Sequence, residues 1–142
     1  MRRLPYYLEK FAPERAIPFQ VDHSPCSVLA SDGIEINGFV LNGPKDETYV
    51  VVHGLMGHSR APGYRQFSES LGRFGRVLTA DLRGHGSSEG ASTLGNKEAF
   101  DVAALIKMAR DLEGTKKVTV VGFSMGAAAA IRAAALLEPC EF

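Results

Sequence analysis

Three β-branched runs, "TYVVV" at 48–52, "RVLTA" at 76–80 and "KVTVV" at 117–121, each lead into a glycine-containing loop and then into a stretch with helical spacing. The first run is apolar at consecutive rather than alternate positions, the mark of a strand covered on both faces. After the second run, Val102, Leu105, Ile106, Ala109 and Leu112 recur at three- and four-residue steps. That is the stripe of an amphipathic helix, and Gly114 is placed to cap its end. After the first run, Phe67, Leu71 and Phe74 share helical spacing; after the third comes "MGAAAAIRAAALLE", with Pro139 just beyond. Strand followed by helix three times over leaves few folds. It predicts an α/β architecture, a mostly parallel sheet with helices on both faces and right-handed crossovers.

Ahead of these units, "CSVLAS" and "IEINGFVL" flank Asp32-Gly33 and read as a β-hairpin with a tight turn. Ile34, Ile36, Phe39 and Leu41 are expected on one partly alternating face. Residues 1–25 hold Pro5, Pro13, Pro18 and Pro25, too dense for a helix or a central strand. They read as an irregular N-terminal extension, with one helical turn near Tyr6 to Phe11, ahead of a single domain over 26–142.

Composition narrows the partners. The net charge is zero, with 45% hydrophobic and 23% charged residues, so there is no basic stripe for nucleic acid. Cys26 and Cys140 are the only cysteines, which is neither a disulfide framework nor a metal spacing. No motif supports an organic cofactor or a metal, and both are expected to be absent. The basic start "MRRLPYYLEKF" lacks an apolar signal core. The longest nearly apolar run, Gly126 to Leu137, contains Arg132 and is too short to span a bilayer. A cytoplasmic protein without a membrane span is the expectation.

In a parallel sheet, ligands bind beyond the carboxyl ends of the strands. Three loops fall there: "HGLMGHS", "DLRGHGSSEG" and "GFSMG". In the last, Gly122 and Gly126 lack the Cβ atoms that would collide where strand and helix nearly touch. Ser124 is thereby lifted above the sheet as a candidate nucleophile. Met125 N–H opens the helix, where donors are unpaired and the dipole favours an oxyanion. The two glycines of "HGLMG" let Leu55 N–H point to the same spot. His53 reads as a loop brace and His58 as an exposed residue. Asp81, Arg83 and His85 read as a hydrogen-bonded knot bracing the neighbouring loops. A lesser alternative makes His85 the base of a dyad with Ser124.

These three loops, in this order and spacing, resemble those of the α/β-hydrolase superfamily over about residues 26 to 138. "DLRGHGSSEG" is most similar to esterases, monoacylglycerol-lipase-like enzymes and serine-aminopeptidase-like members. The resemblance implies a serine hydrolase acting on a small-molecule ester or amide, with Ser124 as nucleophile and the N–H groups of Leu55 and Met125 as the oxyanion hole. It also implies a triad acid and histidine after the nucleophile, whereas only Glu138 and Glu141, and no histidine, follow Ser124 here. The sequence therefore reads as the N-terminal part of such a domain, strands one to five, truncated and inactive by itself. Its partner would be the missing C-terminal half. The alternative is a non-catalytic scaffold or interaction module that pairs or self-associates through the bare edge of "KVTVVGF".

Overall fold

The computed structural model describes residues 16–137. Its strands are β1 (His23–Leu29), β2 (Glu35–Leu41), β3 (Glu47–Val52), β4 (Arg76–Ala80) and β5 (Lys117–Gly122). Its helices are α1 (Pro62–Leu71), α2 (Glu98–Asp111) and α3 (Met125–Leu136). The hairpin turns where Asp32-Gly33 requires, with Gly33 at φ +87° and Gly33 N–H bonded to Ala30 O at 2.8 Å. The sheet runs β1-β2-β4-β3-β5. β1, β2 and β4 pair antiparallel in succession, and β3 lies parallel to both β4 and β5.

Val52 is the partner of Ala80 on one side and of Gly122 on the other. The carboxyl ends of the three parallel strands are therefore level, and their loops emerge together at one edge. Strand periodicity divides the core. Val50, Val52, Leu78 and Ala80 face α2 and α3, while Val51 and Val77 face the side that carries Phe67 and Leu71 of α1. β4 is buried along its whole length, as a continuous apolar run between two neighbours should be.

Several expectations shift. β1 begins at His23 rather than Cys26, and Phe19 is buried with Leu41, Val51 and Val77. Ile34, Ile36 and Val40 contribute to one core and Phe39 and Leu41 to the other, because odd and even positions of a strand face opposite ways. Phe74 lies past the end of α1 and is 66% exposed. α2 ends at Asp111 with Leu112 extended, so Gly114, at φ +85°, turns the chain two residues after the cap. Cys26 is a free, half-buried thiol, pushed up to about 11 by burial. The expected turn near Tyr6 to Phe11, together with Pro139 and Cys140, lies outside the described residues.

β5 is hydrogen-bonded to β3 alone among the described residues, and Val118 to Gly122 stay half-buried. Beside it, α3 leaves Ile131 75% and Leu136 52% exposed. The inner side of α3 is the opposite case. A methyl group on Gly126 would sit 2.4 Å from His53 O and 2.7 Å from Val52 O. One on Gly122 would sit 2.7 Å from Ala127 Cα. Backbone cannot yield as a side chain can, so Gly126→Ala is expected to destabilise the fold by about 1–3 kcal/mol, the usual range for overpacking. The check is a urea titration, in which the midpoint falls while the slope stays the same.

Candidate active site

Ser124 occupies the N-cap position of α3 with φ 51° and ψ −116°. A serine there ordinarily bends back to bond a helix N–H; Ser124 makes no such bond, and it is exposed. Positive φ is strained for a residue with a side chain. The tight bonds around it hold it in place: Phe123 N–H donates to Val52 O at 3.1 Å and Gly126 N–H to Phe123 O at 2.8 Å. Met125 follows as the first helical residue, so its N–H has no carbonyl of the preceding turn to bond.

The loop after β3 lies against this turn. A methyl on Gly54 would be 3.2 Å from Ser124 Cβ and 3.3 Å from Phe123 O. Within "HGLMG", Gly54 N–H donates to Tyr64 Oη at 3.0 Å, Met56 N–H to His85 Nε2 at 3.0 Å, and Gly57 N–H to Gly54 O at 3.0 Å. Leu55 N–H is the one donor of the four that no described residue accepts. Met56 takes φ 71° to make the bend. Leu55 and Met125 thus sit on the two backbone segments that flank Ser124.

The histidines are braces. His53 is buried; its Nδ1–H donates to Gly54 O at 2.7 Å, and its Nε2 accepts from Leu82 N–H at 2.9 Å. Burial outweighs the Gly54 bond and pushes its pKa down to about 4. His85 is likewise buried and neutral, donating from Nδ1 to Arg83 O while Nε2 accepts from Met56. Burial lowers its pKa as well. Both ring nitrogens of His85 are thus engaged with the loops, and neither is bonded to Ser124. His58, expected at the surface, is 5% exposed.

Asp81, Arg83 and His85 brace the neighbouring segments as expected, but by separate bonds rather than as one knot, since none of the three side chains bonds another. Asp81 accepts from Ser59 N–H at 2.7 Å and from Ser87 N–H and Oγ, each at 2.9 Å. Burial disfavours its charge, yet these donors prevail and hold its carboxyl below the usual range. Arg83 forms a two-pronged ion pair with Asp32 of the hairpin turn and a buried one with Asp101 of α2. Glu98, fully buried, accepts from Thr93 N–H at 2.7 Å and from Gly95 N–H, fixing the end of the same loop. Asp32, Asp101, Glu98 and Tyr64 were not foreseen. Glu98 and Asp101 had left a trace: both fall on the buried stripe of Val102 and Leu105, where a charge needs a partner.

A cavity of about 620 Å³ lies elsewhere, between Val28, Leu29, Phe100, Met108 and Leu136; none of its lining belongs to the three loops. Among the described residues no group of His, Cys, Asp or Glu could hold a metal ion, and no helix is long and apolar enough to cross a membrane.

A strained, exposed serine thus stands between a parallel strand and a helix, flanked by a glycine loop with a spare N–H. The α/β-hydrolase fold model matches residues 49–139, and the chain belongs to that family. Among solved structures it is similar to the Pyrococcus furiosus esterase Pf2001, at 32% identity and TM-score 0.73, covering 79% of this chain and 46% of that one. It is also similar to Est1E from Butyrivibrio proteoclasticus with ferulic acid bound, at 28% identity and TM-score 0.68, covering 78% and 47%. An α/β hydrolase from Novosphingobium aromaticivorans, at 21% identity and TM-score 0.66 over 87% and 42%, shares the fold. The chain thus spans about half the length of the structures it matches. No curated protein matches it significantly.

The depressed His53 makes stability depend on pH. Its imidazole takes up a proton near 6.5 when unfolded but only near 4 when folded. Stability from this source is therefore complete above about 6.5 and lost as pH falls toward 4. Urea midpoints should decline through that window, with a smaller slope in His53→Gln, which does not titrate. A profile that is flat between pH 7 and 4.5 contradicts the assignment.

Proposed function

We propose that Ser124 is the nucleophile of a serine hydrolase that cleaves an ester or amide bond. The observation that carries this reading is the backbone at Ser124: positive φ, an exposed hydroxyl and no capping bond, at the head of a helix. Ser124 Oγ adds to the carbonyl carbon while the π electrons move onto the oxygen. That oxyanion is held by the N–H groups of Leu55 and Met125. A general base takes the serine proton and returns it to the leaving group. His53 and His85 do not serve, since each would have to surrender a bond that holds the loops. The base and its acid then come from a part of the fold beyond α3, and the 142 residues alone react slowly. An ester is favoured over an amide by the similarity to the esterase Pf2001 and to the ferulic-acid-bound Est1E. A reducing, cytoplasmic setting fits the free, half-buried Cys26.

A fluorophosphonate probe tests this. In a form extended to the length of the esterases, it should label Ser124 and nothing else, and Ser124→Ala should abolish labelling. The 142-residue chain should label several orders of magnitude more slowly, as expected when the base is removed. An extended form that fails to label at Ser124 rules the reading out.

The sheet edge favours a second reading that is compatible with the first. β5 is bonded on one side, and α3 beside it carries Ile131 in the open. Such a seam takes either further strands of a hydrolase or a second copy of the chain. The 142-residue chain should then self-associate in light scattering. Ile131→Lys should return it to a monomer with an unchanged melt; a wild-type monomer at every concentration counts against the seam.

A further inference from the structure

Tyr64 has no part in the chemistry described above, yet its hydroxyl and Ser124 Cβ both border Gly54. It lies in the first turn of α1, half-buried, with its ring edge-on to Phe123 at 5.3 Å and to His53 at 6.1 Å. The ring is a wedge between the loop after β3 and the turn before α3. A methyl on Gly57 would strike its Cε2 at 2.7 Å. Its oxygen accepts Gly54 N–H at 3.0 Å. A phenol that accepts one bond still has its own proton to donate, and no described residue accepts that proton. The direction it can serve is given by Gly54: a methyl there would lie 3.2 Å from Ser124 Cβ and 3.4 Å from Tyr64 Oη. The absent side chain of Gly54 thus leaves the Tyr64 hydroxyl and the Ser124 side chain bordering one space.

The geometry points to Tyr64 as a third hydrogen-bond donor of the site, its O–H directed at an oxygen of the tetrahedral species on Ser124, alongside the N–H groups of Leu55 and Met125. This rests on the Ser124 reading. The same contact ties donor to scaffold. By accepting Gly54 N–H, Tyr64 Oη turns its hydrogen away from the loop and fixes the peptide that precedes Leu55. A neutral phenol in that place adds a hydrogen bond to an anion without adding a charge, the kind of preorganised donor that strengthens as negative charge develops on the oxygen.

Butane-1-boronic acid, a tetrahedral-anion mimic, tests this on the 142-residue chain, because its adduct needs no leaving group. Ser124 Oγ adds to boron, the B–O bond forms, and the hydroxyl proton is released to water as the boron becomes a tetrahedral anion. Binding is read by isothermal titration calorimetry and by the ¹³Cζ signal of labelled tyrosine. In the unaltered chain the Tyr64 ¹³Cζ signal should shift on binding. Tyr64→Phe, which keeps the ring wedge, should weaken binding tenfold or more while its circular dichroism and melt stay close to those of the parent. Loss of the Gly54 bond alone would not move the ¹³Cζ signal of the unaltered chain, so the two readouts separate donation from support of the loop. Binding that is lost in Ser124→Ala but unchanged in Tyr64→Phe, with a still ¹³Cζ signal, overturns the Tyr64 proposal and leaves the nucleophile standing. Binding that survives Ser124→Ala undiminished overturns the serine adduct on which both depend. No binding at millimolar boronate contradicts the donor set proposed here, while the nucleophile retains its separate test by fluorophosphonate in the extended form.

Discussion

The approach of two backbones controls this structure. The first turn of α3 lies so close to the end of β3 that no Cβ fits at Gly126, and the outgoing strand lies so close to Ala127 that none fits at Gly122. Between these two glycines the chain has three residues in which to reverse from strand to helix. The strain falls on Ser124, at φ 51°. Its exposed hydroxyl, the unpaired start of the helix behind it and the packing of the next loop against it all follow from that pinch. Burial of α3 against Val52 and its neighbours holds the strained residue in place, which is how strain at a functional position persists.

A second layer keeps the loops after β3 and β4 in register. Their polar residues bond across loops as well as within them: His53 to Leu82, His85 to Met56, Asp81 to Ser59, and Arg83 to both the hairpin turn and α2. These bonds are made in buried or partly buried settings, where an unpaired group would be costly. The same economy explains why the histidines near Ser124 are poor bases. They are neutral because they are buried, and they are bonded at both nitrogens because burial demands it.

The strands and the sharp turn at Ser124 are legible in the sequence because they depend on local pattern. Continuous β-branched runs such as Val50 to Val52 read as strands covered on both faces, and glycine at 122 and 126 around a serine has a steric reading independent of the rest of the chain. What stays hidden depends on register. Arg83 meets residues 51 and 18 positions away in sequence, and nothing in "DLRGHG" says which acids the fold will bring to it. Phe39 falls on the opposite face from Ile36 because β2 is covered on both sides, so apolar residues there do not mark a single face. Phe74 has helical spacing, but the helix ends at Leu71, with Gly72 as its C-cap, before reaching it. Tyr64 reads in sequence as an ordinary helix residue; only the placement of α1 against Gly54 and Phe123 gives its hydroxyl a direction.

The central claim is that the pinch at Gly122 and Gly126 presents Ser124 as a nucleophile between two backbone donors. A crystal structure of the esterase-length form after reaction with a diethyl phosphoryl ester tests it directly. The account predicts phosphorus bonded to Ser124 Oγ, Ser124 still at positive φ, and a phosphoryl oxygen about 2.7–3.1 Å from the N–H groups of both Leu55 and Met125. Phosphorus on another residue, or an oxygen turned away from both N–H groups, would contradict it.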